Sequence, residues 1–261
     1  MGKEDKGGKG NRSHGKGAVY VVGTGPGAVE HLTEKARRVL GSVECVVGYT
    51  RYVDLISPLI EGKEVFSTGM THEVERCRKA IEFAREGKRV AVISSGDSGI
   101  YGMAGLILQL AAGDGGPAFQ IEVVPGLPAF VSAASILGAP LMHDFASISL
   151  SDLLTEWDVI ERRVEACAKA DFVMVFYNPK SSKRVEGLVR AIEIVRRYRS
   201  PDTPVGVVRN AAREGEEAFI TTLSGIEAHY GGIDMLTIII IGNSSTFREG
   251  GRMITPRGYR V

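Results

Sequence analysis

The chain contains 261 residues, of which 44% are hydrophobic and 24% are charged, and its net charge is +1. This length suits one large or two modest domains, and so balanced a charge excludes a strongly basic binder of nucleic acid or membrane surfaces. No apolar run reaches the roughly 18 residues of a membrane-spanning helix. The histidines and cysteines show no metal-ligand spacing, so we predict no metal site, and the scattered cysteines favour reduced thiols in a cytoplasmic protein.

Strand-like and helix-like patterns alternate from Val19 onward, after a glycine- and lysine-rich segment, residues 1–17, that we expect to be a disordered leader. We predict strands at 19–23, 43–47, 64–67, 89–94, 120–124, 146–150, 172–177, 205–209, 218–222 and 235–241. We predict helices at 72–86, 129–137 and 183–198, among others. This alternation predicts an α/β fold with a parallel sheet.

A natural break at Gly138-Ala139-Pro140 divides these elements into two sets. We therefore predict two α/β domains, an N-terminal domain at 18–140 and a C-terminal domain at 141–261. A cleft between two such domains is a natural place for a small ligand.

The first predicted strand runs into Gly23-Thr24-Gly25-Pro26-Gly27-Ala28, which formally satisfies the GxGxxG/A pattern of dinucleotide-binding enzymes. Three details weaken that interpretation. Pro26 lacks the N–H that a pyrophosphate needs, the next helix starts late, near Thr33, and no acid ends the second strand. The GxxxxGK[ST] pattern of nucleotide triphosphatases is absent as well.

A second glycine-bearing loop, Ser94 to Gly102, follows the fourth predicted strand and carries Asp97. An acid repels phosphate but suits a ligand with hydroxyls or positive charge, and S-adenosylmethionine has both. Asp97 could equally be the N-cap of a helix starting near Tyr101. For either glycine loop alone, a purely structural role in a tight turn also stays open.

Three strings together resemble the tetrapyrrole (corrin and porphyrin) methylase family. They are Gly23 to Gly27, Ser95-Gly96-Asp97-Ser98-Gly99-Ile100-Tyr101-Gly102, which is similar to the family's GDPxxYG loop, and Val124-Pro125-Gly126-Leu127-Pro128-Ala129. The resemblance covers about residues 18–248. Ser98 departs from the proline of GDP, and Ala28 stands where many members have an acid.

Further strings resemble one branch of that family, the precorrin-3B C17-methyltransferases of cobalamin (and, more broadly, porphyrin-type) biosynthesis. They are Ser67 to Met70 with Glu73 to Arg76, Ile148 to Thr155, Tyr177 to Ser181, and Val208 to Glu216. The resemblance implies methylation of a corrin precursor at C17, coupled to ring contraction, with either cobalt-factor III or metal-free precorrin-3B as the substrate.

The resemblance implies that S-adenosylmethionine binds folded between the two domains. The residues it implies as cofactor ligands are Gly96, Asp97, Ile100, Tyr101, Pro128, Ala129, Tyr177, Asn178, Ala211 and Thr237. Methyl transfer from a sulfonium needs little acid–base help, because the leaving group departs neutral, so orientation can supply most of the catalysis.

The implied substrate carries acetate and propionate groups, which arginines can bind through two parallel hydrogen bonds. The candidate arginines are Arg51, Arg76, Arg184, Arg209 and Arg213. We expect Arg209 and Arg213 to bind substrate, together with Gly25, Pro26 and Gly27. Ring contraction also needs a proton donor or acceptor, for which the candidates are His143, Asp152 and Glu214.

Two alternatives remain open. One is a family member that acts on another ring position or another substrate, such as uroporphyrinogen or a modified translation factor. The other, from a different class, is a non-catalytic tetrapyrrole- or nucleotide-binding module. Members of this family are usually homodimers, so we expect a homodimer whose ligands are small molecules, without a nucleic-acid or membrane partner.

Overall fold

The computed structural model describes residues 17–113, 119–181 and 184–260. The chain forms two compact units. The first contains the described residues up to Thr24 and Leu32–Gly126, and the second contains Gly25–His31 and the described residues from Leu127 onward. All but the last residue of the expected leader, 1–17, lies outside the described residues.

The first unit is built on a five-stranded parallel sheet in the order β3-β2-β4-β1-β5. Its strands are β1 (Ala18–Gly23), β2 (Cys45–Tyr49), β3 (Glu64–Thr68), β4 (Arg89–Ser94) and β5 (Gln120–Val124). Its helices are α1 (Glu34–Ser42), α2 (Thr50–Leu55), α3 (Glu73–Arg85) and α4 (Ala104–Gly113). The predicted strands and the parallel sheet are confirmed, with β2 two residues later than predicted.

Continuous apolar runs explain why β1 and β4 occupy the middle of this sheet. Val19, Val21, Val90 and Val92 are fully buried and pack with the apolar sides of α3 and α4. Strands covered on both faces need apolar residues at successive positions, and this is what both runs supply. The carboxyl ends of the five strands meet at one edge, called here the first carboxyl edge.

The second unit contains a five-stranded mixed sheet in the order β10-β9-β11-β8-β7. Its strands are β7 (Phe145–Ser149), β8 (Val173–Tyr177), β9 (Pro204–Arg209), β10 (Glu217–Thr222) and β11 (Thr237–Ile241). Only β7 and β8 are parallel neighbours, whereas β11 runs antiparallel to both β8 and β9, and β10 antiparallel to β9. The parallel arrangement predicted from alternation therefore does not extend to this sheet.

Helices cover both faces of the second sheet. The remaining elements are α5 (Ala129–Leu137), α6 (Trp157–Lys169), α7 (Glu186–Arg196) and a small sheet of β6 (Gly138–Ala139), β12 (Phe247–Glu249) and β13 (Arg252–Ile254). Apolar residues of α6 and α7 pack on one face, and α5 packs on the other. Because α5 packs on β9, β10 and β11, the division between the units falls at Gly126–Leu127 instead of near residue 140.

Three strands of the second sheet, β7, β8 and β9, end at the same edge, called here the second carboxyl edge. Because β10 and β11 run the other way, they begin at this edge, and Arg209 pairs with both Glu217 and Thr237. Among the described residues, no helix is both long and apolar enough to cross a membrane.

Candidate functional site

The first carboxyl edge contains a topological switch point between β1 and β4. These strands are neighbours, but the connection from β1 passes beyond β4 to reach β2, whereas the connection from β4 passes beyond β1 to reach β5. The two connections run in opposite directions along the sheet, and open α/β sheets bind ligands at such a reversal. The two glycine loops singled out in the sequence follow these two strands.

Three glycines bring the main chains after β1, β4 and β5 into direct contact. A Cβ atom on Gly23 would lie 2.7 Å from the amide nitrogen of Gly126 and 2.7 Å from the carbonyl oxygen of Gly96. A Cβ on Gly126 would overlap the Gly96 carbonyl. Gly96 also has a φ of +70°, which favours glycine. The glycines are therefore required by close packing of the loops, in addition to any contact with a ligand.

Asp97 connects two of these loops. Its Oδ2 accepts a hydrogen bond from the Gly126 N–H at 2.9 Å, and its Oδ1 accepts one from the Gly99 N–H at 2.8 Å. The following helix, α4, begins only at Ala104. The N-cap alternative for Asp97 is therefore wrong, and the carboxylate fixes the Pro125–Gly126 turn against its own loop.

Ser98 fixes the same loop to strands β1 and β5. Its side chain is fully buried, and its hydroxyl lies 3.0 Å from the Val21 carbonyl and 3.4 Å from the Val124 carbonyl. Ile100 and Tyr101, by contrast, are 36% and 53% exposed, and Tyr101 has a φ of +54°. Asp97 and Ser98 thus fix the start of the loop, and Ile100 and Tyr101 expose an apolar and aromatic surface at its end.

The second carboxyl edge brings together most of the predicted site residues of the second unit. These are Asp152, Tyr177, Asn178, Arg209, Ala211, Arg213, Glu214 and Thr237. Asn178, Asn210 and Ala212 have φ values of +51°, +52° and +56° in the loops that leave β8 and β9. Non-glycine residues in this conformation are uncommon and concentrate at functional sites.

Tyr177 places the start of α5 at this edge. Its hydroxyl accepts a hydrogen bond from the Phe130 N–H at 3.2 Å, directly after the predicted cofactor ligands Pro128 and Ala129. The neighbouring Asn178 donates from Nδ2 to the Ser149 hydroxyl at 3.0 Å. The two proposed ligand strings, 128–129 and 177–178, therefore lie together.

The loop of Gly25, Pro26 and Gly27 also belongs to the second unit. The Ala28 N–H donates to the Ala212 carbonyl at 2.9 Å, and Arg213 Nε donates to the Pro26 carbonyl. A Cβ on Gly27 would overlap the Arg213 side chain. These contacts join three predicted substrate ligands to a fourth, Arg213.

Arg209 is held by two carboxylates. Its Nε donates to Asp234 Oδ2 at 2.8 Å, and Nη1 lies 3.8 Å from Glu217. The hydrogen bond that Arg209 donates to Asp234 is the main reason that the pKa of Arg209 is raised. Burial opposes ionisation of Asp234, but hydrogen bonds from Arg209, the Leu236 N–H and Thr237 lower its pKa overall.

Asp234 is the residue that the sequence analysis missed. Besides Arg209, it accepts from the Thr237 hydroxyl at 3.1 Å, and Thr237 is only 1% exposed. Thr237 is thus committed to the turn before β11, so a cofactor contact through its side chain would require that turn to rearrange. The signal was an acid three residues before a threonine at the start of an apolar strand.

Of the three candidates for proton transfer, the two acids lie at the second carboxyl edge and the histidine does not. Asp152 lies 3.5 Å from Arg184 Nη1, and Glu214 is exposed in the loop after β9. His143 precedes β7 and therefore lies at the opposite edge, where its Nδ1 accepts from the Asp144 N–H at 2.9 Å. The structure does not bring His143 together with the other candidates.

The remaining arginine candidates differ in exposure. Arg76 is 4% exposed and binds the Thr68 hydroxyl and the Gly69 carbonyl, each at 2.7 Å. It also donates to Glu73 at 3.0 Å, so its guanidinium holds the loop after β3. Arg51 is exposed on α2. In the part of the chain that the structure describes, no three His, Cys, Asp or Glu side chains form a group that could hold a metal.

Residues 18–227 match the family model of the tetrapyrrole (corrin/porphyrin) methylases. The chain belongs to this family. The match spans both units and includes both glycine loops, which confirms the resemblance and the fold that it implied.

Two relatives have names that describe a reaction. The chain is 50% identical over 248 residues to the cobalt-factor III methyltransferase of Priestia megaterium, covering 94% of this chain and 46% of that protein. It is 48% identical over 243 residues to the probable cobalt-factor III C(17)-methyltransferase of Salmonella typhimurium, covering 93% of this chain and all of that protein. The chain thus spans about half of the first relative and the full length of the second.

Solved structures agree with this assignment. The methyltransferase CobJ is 36% identical with a TM-score of 0.87, and the match covers 92% of this chain and all of CobJ. Uroporphyrin-III C-methyltransferase from Thermus thermophilus, in complex with S-adenosyl homocysteine, is 25% identical with a TM-score of 0.64. That match covers 87% of this chain and 97% of the neighbour.

Proposed function

We propose that the chain is an S-adenosylmethionine-dependent methyltransferase of cobalamin biosynthesis that methylates C17 of cobalt-factor III, coupled to ring contraction. The single observation that carries this is the loop constellation at the β1/β4 switch point, where Asp97 ties the Gly96 loop to Gly126. The family match and the two relatives named for cobalt-factor III support the substrate. They also favour the cobalt-bound ring over metal-free precorrin-3B.

The proposed cofactor ligands fit S-adenosylmethionine chemically. In the first unit, Gly96 offers main-chain contact, the Asp97 oxygens keep lone pairs for hydroxyl or ammonium groups, and Ile100 and Tyr101 offer exposed apolar surface for a purine. In the second unit the proposed ligands are Pro128, Ala129, Tyr177, Asn178 and Ala211, together with Thr237, whose hydroxyl is already bonded to Asp234. When bound, S-adenosylmethionine supplies an electrophilic methyl group and leaves as a neutral thioether.

The protein's part in methyl transfer is then mainly orientation. The glycine contacts, Asp97 and Ser98 make the first-edge loops rigid before a ligand arrives, so little freedom is lost on binding. A carboxylate beside the loop also favours a cationic ligand. No general base is needed at the sulfur, because no proton moves there.

Substrate carboxylates are proposed to bind Arg209 and Arg213 near the loop of Gly25, Pro26 and Gly27. Each guanidinium has five N–H donors, and the Nε of Arg209 donates to Asp234 while the Nε of Arg213 donates to Pro26. For ring contraction, we assign proton transfer to Asp152 or Glu214, which lie at this edge. His143 is left out because it lies at the opposite edge.

The cellular setting and assembly are part of the proposal. Burial raises the pKa of Cys77 to about 12 and that of Cys45 to about 11, the latter with a hydrogen bond to Glu64. Such thiols are unreactive core residues, in keeping with a cytoplasmic protein. We also assign a homodimer, which sedimentation velocity tests directly.

The test is an incubation of the purified protein with methyl-labelled S-adenosylmethionine and either cobalt-factor III or precorrin-3B. Mass spectrometry would measure methyl incorporation, and NMR would locate the methyl and the contracted ring. Label at C17 of the cobalt ring is the expected result. Label at another position, or on uroporphyrinogen alone, would identify a different member of the family, and cofactor binding without transfer to any ring would contradict the proposed reaction.

A further inference from the structure

Two adjacent leucines at the second carboxyl edge are exposed to solvent. Leu153 is 68% exposed and Leu154 is 99% exposed, in the loop of residues 150–156 between β7 and α6. We call this segment the leucine loop. Single exposed leucines are common on protein surfaces, but a consecutive pair at the edge that collects the candidate site residues requires a separate explanation.

The leucine loop is firmly held at its base. Leu150 is 3% exposed and its N–H donates to the Tyr177 carbonyl at 2.9 Å. Arg184 donates from Nη1 to the Ser151 hydroxyl at 2.6 Å and lies 3.5 Å from Asp152. The exposure of the leucines is therefore imposed by an anchored base, which directs them outward.

The base of the loop is continuous with the candidate site. Ser149, the last residue of β7, accepts the hydrogen bond from Asn178 Nδ2, and Tyr177 accepts the N–H of Leu150. Tyr177 and Asn178 are proposed cofactor ligands. The two leucines thus project from the same edge that is proposed to carry the reaction.

The chemistry of this edge combines apolar surface with cations. The same edge carries Leu236, which is 38% exposed, and the guanidinium groups of Arg184 and Arg209, of which Arg184 contacts the base of the leucine loop. Arg184 Nη2 contacts the sulfur of Met235, next to Leu236, which places a cation and an apolar side chain side by side. A flat ring with apolar faces and carboxylates at its rim matches this combination.

We propose that Leu153 and Leu154 pack on one face of the substrate macrocycle and are specificity-determining residues for ring binding, with Arg184 positioning their loop. The identity of the ring rests on the proposed function. Ring binding covers two side chains that otherwise contact water, so the leucines contribute to affinity for the ring and not to affinity for the methyl donor.

The test compares Leu153→Ser/Leu154→Ser with wild type and with Leu108→Ser. Leu108 is 47% exposed on α4, outside the candidate site, so it controls for the loss of an exposed leucine. Binding of cobalt-factor III without cofactor is measured by absorbance titration, S-adenosylmethionine binding by calorimetry, and assembly by sedimentation velocity. We expect the double variant to bind the ring at least about 10-fold more weakly, with unchanged cofactor affinity, melting temperature and mass.

Several results would overturn the proposal. They are unchanged ring affinity in the double variant, an equal loss in Leu108→Ser, or no ring binding by the wild-type protein. A change of sedimenting mass in the double variant would show that the leucines pack on a second copy of the chain. If the ring binds through the leucines but no methyl is transferred, the proposed function fails while this inference stands. If methyl transfer proceeds equally well without the leucines, the proposed function stands and this inference fails.

Discussion

The carboxylate of Asp97 accepts the N–H of Gly126 at 2.9 Å, across 29 residues of sequence. The two residues lie in loops that follow β4 and β5, so one side chain sets the distance between two parts of the candidate cofactor site. The same carboxylate binds the Gly99 N–H within its own loop. Asp97 therefore shapes the site whether or not it also contacts a ligand.

Replacing Asp97 tests this role. We expect Asp97→Ala to weaken S-adenosylmethionine binding at least about 10-fold and to lower stability by about 2 kcal/mol, because hydrogen bonds to a charged acceptor are lost. Asp97→Asn, which keeps one oxygen acceptor, should be intermediate. Calorimetry and thermal unfolding measure the two effects, and unchanged cofactor affinity in Asp97→Ala would refute the assignment.

The contact between Gly126 and Gly96 predicts a steric effect. Gly126→Ala should destabilise the first unit and abolish cofactor binding, because the added Cβ would overlap the Gly96 carbonyl. The matched control is Gly105→Ala on α4, where a Cβ meets no atom within 4 Å. The control should raise stability by about 0.5–1 kcal/mol. Similar melting temperatures for the two variants would contradict this packing argument.

The arginine held by Asp234 should matter for the ring more than for the cofactor. Arg209→Lys places an ammonium where the structure has a planar guanidinium, so the bond to Asp234 can form only at the expense of a substrate carboxylate. We expect KM for the ring to rise at least about 10-fold with little change in the calorimetric affinity for S-adenosylmethionine. Equal losses in both would assign Arg209 a structural role alone.

Much of this arrangement follows from the sequence, and the exceptions have physical reasons. Runs such as Val19–Val22 reveal buried strands, since burial on both faces needs apolar residues at successive positions. The same signal is blind to strand direction, so antiparallel β11 could not be distinguished from a parallel strand.

Partners distant in sequence were also out of reach. Nothing near Gly27 indicates that Arg213 will cover it, and nothing near Asp97 indicates Gly126. His143 precedes the amino end of β7 and therefore lies at the opposite edge. The residue types around it do not indicate this, because the edge depends on where the strand begins. Asp234 was overlooked because its role is to accept hydrogen bonds from Arg209 and Thr237, which only the folded sheet brings together.

The lowered pKa of Asp234 predicts a specific loss of stability in acid. Folding lowers the pKa of the Asp234 carboxyl below its ordinary value of 3.8. The ionised carboxylate therefore stabilises the fold above that pH, and this stabilisation is lost as the pH falls through the lowered pKa of the folded protein. The difference in unfolding free energy between wild type and Asp234→Asn should therefore be largest near neutrality and shrink below pH about 4. Urea unfolding at a series of pH values measures it, and a difference independent of pH would exclude a contribution from the charge.

The buried Arg199 predicts the largest loss of stability away from the candidate site. Its guanidinium pairs with Asp171, donates to the Phe172 carbonyl at 2.9 Å and is only 2% exposed. Asp171 in turn accepts from the Ser244 hydroxyl at 2.6 Å, so removing the arginine leaves a carboxylate without its cation. Asp171 itself is 44% exposed and remains hydrated, so we expect Arg199→Ala to cost about 1.5–3 kcal/mol, mainly through lost hydrogen bonds of the buried guanidinium. Arg162→Ala, which removes an exposed pair with Asp158, should cost less than about 1 kcal/mol, and comparable losses in urea unfolding would contradict the buried pairing.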